Sequence, residues 1–354
     1  MMHKKKLVLD CERMKYPHTG LYHYCLQLGL ALQKIVDHNT EQLSFYVRKG
    51  LEKSFGNNAS YIEQNSLDKY FMPIKNSEIW HTTYQATNYF PFRKKLKIVL
   101  TIHDLNVLHE NRKSAHKLKK AINKIQKRVD RANHIIAISE FTLADIKKNL
   151  NIGNTPTSVI YNGCNFNTIE NLMLPQLKVT EPFLFTLGTI NAKKNFHVLP
   201  CLLVGNNNKL IIAGITDNET YKQKIIAEAK QCGVEERVIF TGSISENDKQ
   251  WYMKNCEAFV FPSLAEGFGL PVIEAMYFGK PVILSNLTAL PEIGGDVAYY
   301  FNNFEADDMR KVLAEALKKY SEDSTAKEKI CARAAMFNWD DAAKKYLEVY
   351  RSLY

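Results

Sequence analysis

Short apolar runs alternate with helical stretches along the whole chain, and this alternation limits the fold more than any other feature. In the first half, apolar runs typical of strands stand between longer segments with helical periodicity. The strands are predicted at 6–9, 43–47, 78–81, 98–102, 134–138 and 158–161, and the helices at 20–36, 111–131 and 140–150. Strands that alternate with helices predict parallel sheets, so the sequence indicates an α/β fold.

A second run of the same kind follows a polar segment. Between Asn167 and Pro182 the periodicity fades, and Asn, Thr, Pro and Gln become common, as in a linker. Beyond it, strands are predicted at 183–187, 210–213, 238–241, 258–261, 282–284 and 298–300, and helices at 218–232, 245–256, 270–278, 305–320 and 339–354. A chain of 354 residues is long enough for two domains, which we place at 1–177 and 178–339. Because ligands of parallel sheets bind at the carboxyl ends of the strands, we expect the domains to face each other across a cleft.

Two glutamates, Glu266 and Glu274, flank a glycine-bearing turn between a predicted strand and a predicted helix. Pro271 falls in the first helical turn, where its missing N–H costs little. Gly267 and Gly269 allow the backbone to approach a ligand closely. Free N–H groups at such a turn attract phosphate, whereas ionised carboxylates accept hydrogen bonds from sugar hydroxyls. The segment therefore suits a nucleotide-sugar.

The net charge of +10 and the pI of about 9.0 favour an anionic partner, such as a nucleotide, an anionic membrane or nucleic acid. Much of the excess charge lies on the predicted helix 111–131, whose other face is apolar. Its cations are Lys113, Lys117, Lys120, Lys124, Lys127, Arg128 and Arg131. We interpret this segment first as a solvated helix packed on a core, and keep open a face that touches an anionic membrane or an acceptor. No RNA or DNA module signature accompanies it, so nucleic acid is not expected as a partner.

The cysteines and the apolar runs bear on the compartment. No run of 18 uncharged apolar residues appears, so no transmembrane helix is expected. The apolar run 7–9 after the basic start is too short for a signal peptide. The seven cysteines form no Cys-x-x-Cys pair, which is typical of a reducing compartment. We therefore expect a cytoplasmic protein, and keep open peripheral contact with the inner face of the membrane.

Several segments, in this order, resemble the retaining glycosyltransferases of family 4, which have the GT-B fold. They are the strand end 99–104, the Asn-Gly segment 159–163, the diphosphate-binding loop 187–195, the carboxylate signature 266–274 and the closing segment 337–339. The resemblance spans nearly the whole chain. It implies two Rossmann-like domains facing across a cleft, with a C-terminal helix, 340–354, that crosses back and completes the first domain.

The resemblance also implies roles for individual residues. Glu266 would lie by the donor sugar hydroxyls and Glu274 would accept from the ribose hydroxyls. Lys194 would neutralise the diphosphate, and His103 would face the donor sugar near the anomeric carbon; His103 and Glu266 are the catalytic candidates. The other donor-binding candidates are Gly20, Asn162, Gly188, Thr189, Asn195, Gly267, Phe268, Gly269 and Leu270, with Ser139 as a further neighbour. Many members carry Arg where this chain has Thr189, which leaves Lys194 as the cation of the loop.

The chain contains no Asp-x-Asp triplet, the kind of acidic ligand that usually holds a sugar diphosphate through a divalent metal. We therefore expect no metal and no cofactor, with the leaving-group charge neutralised by Lys194 and helix-terminal N–H groups. By resemblance, the transfer retains the anomeric configuration through front-face attack. The Gly-Thr-Ile and Lys-Asn residues of loop 187–195 resemble bacterial mannosyltransferases, which favours GDP-mannose over UDP-sugars as the donor. The acceptor is expected to be a glycan or glycolipid of polysaccharide or lipopolysaccharide biosynthesis.

Other interpretations stay open at this point. The chain could be a non-catalytic nucleotide-sugar-binding or scaffold protein of the same fold, and Thr189 is the departure that favours this reading. A phosphorylase-like enzyme would need a pyridoxal lysine in a recognisable context, which the sequence does not offer. The aromatic stretch 80–89 could stack on an acceptor sugar or could belong to the core.

Overall fold

A computed structural model describes residues 4–17, 19–74, 76–108, 114–164 and 168–354. The chain divides into two compact units, Met1–Asn165 with Asn338–Tyr354, and Phe166–Phe337. The first boundary therefore lies at 165 and not at the predicted 177, and the second at 337 and not at 339. The linker segment belongs to the second unit because the backbone N–H of Ile169 donates to Gln250 at 3.0 Å, and Tyr252 donates to the carbonyl of Leu177 at 2.8 Å.

The first unit contains a seven-stranded sheet in the order β3-β2-β1-β4-β5-β6-β7, and all its neighbouring strands are parallel. Its strands are β1 Lys5–Asp10, β2 Glu41–Val47, β3 Ser60–Glu63, β4 Ile79–Thr82, β5 Lys97–Ile102, β6 His134–Ala137 and β7 Thr157–Val159. Its helices include α1 Gly20–Ile35, α2 Ala115–Val129 and α3 Glu140–Asn149. Residues 111–113 of the predicted second helix lie outside the described residues. The edge strand β3 was not predicted, because it is partly exposed and lacks a continuous apolar run.

The second unit contains a six-stranded sheet in the order β10-β9-β8-β11-β12-β13, again with parallel neighbours. Its strands are β8 Phe183–Leu187, β9 Lys209–Ala213, β10 Val238–Gly242, β11 Ala258–Phe261, β12 Val282–Ser285 and β13 Tyr299–Phe301. Its helices are α4 Glu219–Gln231, α5 Glu246–Asn255, α6 Leu270–Tyr277, α7 Leu290–Gly294, α8 Ala306–Glu322 and α9 Ala326–Ala335. Between β8 and β9 the chain forms short 3-10 turns at Ala192–Lys194, Phe196–Val198 and Pro200–Leu203.

The strand order reverses once in each sheet, between β1 and β4 in the first and between β8 and β11 in the second. Neighbouring connections leave such a point in opposite directions, which opens a crevice at the carboxyl ends of the two strands. These two points are therefore where each unit is built to receive a ligand.

The last helix, α10 Trp339–Arg351, packs in the first unit, as the family resemblance implied. Tyr346 is hydrogen-bonded to Tyr24 of α1 at 2.8 Å, and Tyr350 to His81 of β4 at 2.7 Å. A Cβ at Gly163 would lie 2.2 Å from the backbone nitrogen of Trp339, so glycine is required where the chain meets the start of α10. Within the described ranges, no helix is both long and apolar enough to cross a membrane.

Candidate functional site

An ion pair lies at the strand-order reversal of the second sheet. Lys194 follows β8 and Glu266 follows β11, and the Lys194 Nζ lies 2.6 Å from Glu266 Oε1. Both side chains are only 13% exposed. Ser263 donates a second hydrogen bond to the same carboxylate oxygen at 2.6 Å. The structure therefore joins the predicted phosphate cation and the predicted sugar carboxylate in one contact.

The backbone around this pair is closely packed. The carbonyl of Lys193 accepts a hydrogen bond from the Leu264 N–H at 2.9 Å, and the Ser263 hydroxyl oxygen lies 3.3 Å from the same carbonyl oxygen. A Cβ at Gly214, directly after β9, would lie 2.1 Å from the carbonyl oxygen of Gly188. Glycine at 214 thus lets the loop after β8 run against the end of β9. Neither Gly214 nor Ser263 was recognised in the sequence, because no local pattern marks such a contact.

Thr288 holds the backbone of Glu266 in place. Its hydroxyl accepts a hydrogen bond from the Glu266 N–H at 3.0 Å. Thr288 has a φ of 56°, a left-handed conformation that is an outlier for a β-branched residue. Strain of this kind persists where the surrounding structure fixes it and often occurs at functional sites.

The charges around Glu266 favour its ionised form. Burial alone would raise the pKa of the Glu266 carboxyl, but the charges of Lys194 and Lys193 and the hydrogen bonds from Lys194 and Ser263 outweigh it. The pKa is therefore held below its usual value. An ionised carboxylate in a partly dehydrated site is a strong acceptor for a hydroxyl group.

Glu274 has a different partner. Its Oε1 lies 2.8 Å from the Nζ of Lys249 on α5, and the same ammonium lies 2.9 Å from Glu246. Burial raises the pKa of Glu274, the charge of Lys249 opposes this rise, and Glu246 adds to it. Lys249 was not among the candidates from the sequence, because its contact with Glu274 depends on how α5 packs against α6.

The remaining candidates of the second unit surround the turn between β11 and α6. Gly269 is the N-cap of α6 with a φ of 108°, a conformation that L side chains rarely adopt. Phe268 is buried against Phe337. Asn195 is 4% exposed, and its side-chain nitrogen has no hydrogen-bond partner among the described protein atoms. A buried donor of this kind usually has a partner supplied by a water or a ligand. Gly188 and Thr189 lie in the loop after β8, Gly267 lies in the loop after β11, and Leu270 is the first residue of α6.

His103 lies in the first unit, directly after β5, and is 8% exposed. Its Nε2 is 2.8 Å from the carbonyl oxygen of Thr83, which can only accept, so Nε2 carries the proton. Burial lowers the pKa of His103 to about 4, against the opposing effect of that hydrogen bond. The ring is therefore neutral near pH 7, and Nδ1 is its acceptor nitrogen.

Backbone contacts on both sides fix the position of His103. Gln85 accepts a hydrogen bond from the His103 N–H at 3.2 Å and donates to the carbonyl of Asp104 at 2.9 Å. Thr142 donates to the carbonyl of His103 at 3.3 Å and is itself bonded to Ser139 at 2.8 Å. Gln85 lies inside the aromatic stretch 80–89, and its supporting role was missed because the sequence does not show which strand ends meet.

The other first-unit candidates lie at the same carboxyl edge of the sheet as His103. Gly20 is the first residue of α1, and Thr19 caps this helix by accepting from the N–H of Tyr22. Asn162 follows β7, is 5% exposed, and its side-chain oxygen has no partner among the described protein atoms. In the stretch 80–89, Trp80 is fully buried and Tyr89 is 7% exposed, so these rings belong to the core.

The basic helix α2 uses several of its cations inside the protein. Lys124 donates to the carbonyl of Ala86 at 2.8 Å, and Arg128 donates to the carbonyl of Thr87 and stacks on Phe90. Arg131, just after the helix, donates to the carbonyl of Leu96 at 2.6 Å. The solvated cations of the helix are Lys117, Lys119, Lys120 and Lys127. Among the residues that the structure describes, no group of three or more His, Cys, Asp or Glu could hold a metal ion.

Comparison with known proteins agrees with this architecture. Residues 171–335 match the model of the group 1 glycosyl transferases, and residues 73–167 match the model of glycosyltransferase family 4. The chain is 23% identical over 390 residues to O-antigen chain mannosyltransferase B of Escherichia coli, covering 98% of this chain and 100% of that protein. It is 24% identical over 324 residues to O-antigen chain mannosyltransferase RfbU of Salmonella typhimurium, covering 84% of this chain and 86% of that protein.

Solved structures show the same fold. A sucrose-phosphate synthase from Thermosynechococcus elongatus superposes with a TM-score of 0.75 at 19% identity, covering 99% of each chain. HepE of Anabaena, in complex with UDP and glucose, superposes with a TM-score of 0.70 at 17% identity, covering 99% of this chain and 100% of that one. The chain belongs to the family 4 and group 1 glycosyltransferases and has the GT-B fold. It is an enzyme of this class, and the non-catalytic alternative has no support.

Proposed function

We propose that the chain transfers mannose from GDP-mannose to a hydroxyl group of a glycan or glycolipid acceptor during O-antigen assembly. The reaction retains the anomeric configuration, needs no metal, and takes place in the cytoplasm at or near the inner face of the membrane. The observation that carries the proposal is the contact between Lys194 and Glu266 at the strand-order reversal of the second sheet. The contact supports the proposal because Lys194 would bind phosphate and Glu266 would accept from sugar hydroxyls, the two kinds of group that a sugar diphosphate presents.

The leaving-group charge determines the need for cations. When the bond between the anomeric carbon and the phosphate oxygen breaks, negative charge accumulates on the diphosphate. The ammonium of Lys194 and the N–H groups at the start of α6 would stabilise this charge without reorganisation. Because these groups belong to the protein, we propose that the transfer does not depend on a divalent ion.

The retained configuration would follow from attack on the face that the diphosphate leaves. The acceptor oxygen forms the new bond to the anomeric carbon, and its proton passes to the departing phosphate oxygen. Neutral His103 would orient the donor through Nδ1, because its Nε2 proton is committed to the carbonyl of Thr83. Glu266 would hold sugar hydroxyls, and Glu274 would accept from the ribose.

The choice of donor and pathway comes from the relatives. Two relatives that align over 98% and 84% of this chain are both O-antigen chain mannosyltransferases by name. The residues of loop 187–195 favour the same sugar, because they resemble those of bacterial mannosyltransferases. We therefore propose mannose as the transferred sugar and GDP as the leaving nucleotide.

A transfer assay tests the proposal. The purified chain is screened for thermal stabilisation by GDP-mannose, UDP-glucose and UDP-N-acetylglucosamine, since a ligand that binds the native state raises its melting temperature. Release of GDP is then followed with O-antigen intermediates as acceptors, with and without EDTA, and the anomeric configuration of the product is determined by NMR.

We expect stabilisation by GDP-mannose, EDTA-insensitive turnover and an α-linked product. Glu266→Ala should reduce kcat by about 100-fold or more, in the range of losing one group that stabilises the transition state. Glu257→Ala is the matched control, because Glu257 is exposed beside β11. An inverted product, turnover with another donor only, or a Glu266→Ala variant that is folded and as active as the wild type would refute the assignment.

A further inference from the structure

Lys249 is the buried partner of the second signature glutamate. It is the fourth residue of α5, and its Nζ lies 2.8 Å from Glu274 Oε1 on α6. The exposed fractions are 17% for Lys249 and 18% for Glu274, whereas Glu246, the other partner of the ammonium, is 56% exposed. The ammonium is thus directed inward to Glu274, and its second carboxylate partner is the more solvated one.

An ionised carboxylate accepts hydrogen bonds from two neighbouring hydroxyls more strongly than a protonated carboxyl, in which one oxygen carries a proton and acts as a donor. Burial acts against ionisation, and a cation within hydrogen-bond distance acts for it. Lys249 is that cation, whereas the negative charge of Glu246 acts against the ionisation of Glu274. From α9, which also packs on α6, Lys327 and Cys331 lie near Gly279, beyond the end of α6, where an added Cβ would be 2.4 Å and 3.1 Å from them. Removal of the Lys249 charge would therefore leave Glu274 next to Glu246 without compensation.

Helix α5, which carries Lys249, is held firmly in the second unit. Ser245 caps α5 by accepting from the Asp248 N–H at 3.0 Å, and the Lys249 N–H donates to the Ser245 carbonyl at 2.9 Å. On the same helix, Gln250 and Tyr252 are 1% exposed and fix α5 in the core. A lysine held in this way restricts the carboxylate that it contacts.

We propose that Lys249 is a positioning residue for donor binding: it holds Oε1 of Glu274, so that Oε2 stays available as an ionised acceptor for the two ribose hydroxyls. The inference rests on the proposed function, in which Glu274 binds the ribose. In this inference Lys249 acts through Glu274, and the pair gives the site its preference for a nucleotide with both ribose hydroxyls.

The test compares GDP with 2′,3′-dideoxy-GDP, which lacks both hydroxyls. The affinities of the two nucleotides are measured by calorimetry from pH 5 to pH 8.5 for the wild type, Lys249→Met, Lys249→Arg and Lys254→Met. Lys254 lies on the same helix but is exposed, so it is the matched control. Lys249→Gln replaces Lys249→Met if the methionine variant does not fold.

We expect the wild type to prefer GDP by roughly 10-fold or more at pH 7.5, from hydrogen bonds to a charged group. Lys249→Met should lose most of this preference at neutral pH and recover part of it as the pH rises, because Glu274 then ionises at a higher pH. Lys249→Arg should restore the preference, and Lys254→Met should match the wild type. An unchanged preference and pH profile in Lys249→Met overturns the inference, even if both nucleotides bind more weakly. If GDP does not bind the wild type, the proposed function fails and the inference fails with it.

Discussion

The contact between Lys194 and Glu266 predicts a large, pH-dependent loss of stability when only one partner is removed. In Lys194→Met, Glu266 would remain 13% exposed with its main cation gone. Breaking a buried pair from one side costs about 3–5 kcal/mol, because it leaves an uncompensated charge. For a unit of this size we expect the melting temperature to fall by roughly 10 °C.

The pH dependence follows from the pKa of Glu266. In the wild type the pKa of Glu266 is lower in the folded state than in the unfolded chain. The ionised carboxylate therefore stabilises the fold at pH values above its unfolded pKa. This stabilisation is lost as the pH falls through the folded-state pKa. In Lys194→Met burial should instead raise the folded pKa. The cost of the substitution should therefore be largest at pH 8 and should shrink as the pH falls through the raised pKa of Glu266 in the variant, because protonation there removes the uncompensated charge.

The assay is urea unfolding followed by the fluorescence of Trp251, the tryptophan of the second unit, without nucleotide. The double variant Lys194→Met/Glu266→Gln completes a thermodynamic cycle, and we expect a coupling of about 2–3 kcal/mol at pH 8. The pair Lys209–Glu181 is the matched control, since its contact is 2.7 Å but its side chains are 25% and 48% exposed. Its cycle should give a clearly smaller coupling, because solvent screens an exposed ion pair. Equal coupling in both cycles, or a loss that does not change with pH, would refute the reasoning.

Three further predictions concern the first unit. Because the pKa of His103 is about 4, this group should cause no change in kcat/KM between pH 5.5 and 8.5. The wild type should lose stability as the pH falls from 6.5 towards 4, because the unfolded chain then binds a proton that folded His103 does not. Calorimetry should show a smaller loss in His103→Gln. Gly163→Ala should destabilise the unit by about 2–4 kcal/mol in urea unfolding, because the added Cβ would overlap the backbone at the start of α10. Gly20→Ala is the control: an added Cβ there has no atom within 4 Å, so the free energy of unfolding should stay unchanged or rise. If α2 touches an anionic membrane, flotation with phosphatidylserine vesicles should weaken with salt and with Lys119→Gln/Lys120→Gln, and salt-insensitive binding would exclude this contact.

The sheet strands could be predicted because each is a short apolar run between polar segments. β8 and β11 match the prediction at both ends, since their side chains are nearly all buried. β3 and α9 could not be predicted in this way, because each has a large exposed surface that dilutes the pattern. The first domain boundary was placed too late because polar composition does not reveal that Ile169 and Leu177 bond to α5.

The candidate site was predictable in its residues but not in its contacts. Glu266, Glu274 and Lys194 stand out because glycines and a proline mark the turns that carry them. Their partners come from other elements, as Lys249 and Thr288 do, and no local pattern connects a helix residue to a glutamate on the next helix. The left-handed conformation of Thr288 was also hidden, since threonine is seldom found there.

In the proposed complex, the contact between Lys194 and Glu266 need not break when the donor binds. An ammonium group carries three N–H donors, and the protein acceptor it contacts here is Glu266, at 2.6 Å. The face of Phe261 lies 4.7 Å from the same nitrogen and excludes water from one side. The remaining N–H groups can point to phosphate oxygens while the first stays on the carboxylate.

One cation would then connect the charge of the leaving group to the carboxylate that holds the sugar. As negative charge grows on the diphosphate, the ammonium would stabilise it through its other N–H groups, while the hydrogen bond to Glu266 keeps that carboxylate in place for the sugar hydroxyls. The departure at Thr189, where the family often has arginine, makes this shared cation more important, because in loop 187–195 only Lys193 and Lys194 are charged. Of these two lysines, Lys194 is hydrogen-bonded to Glu266. Restoring the arginine with Thr189→Arg should therefore strengthen GDP binding while weakening the dependence of kcat on Lys194, and an unchanged dependence would argue against a shared cation.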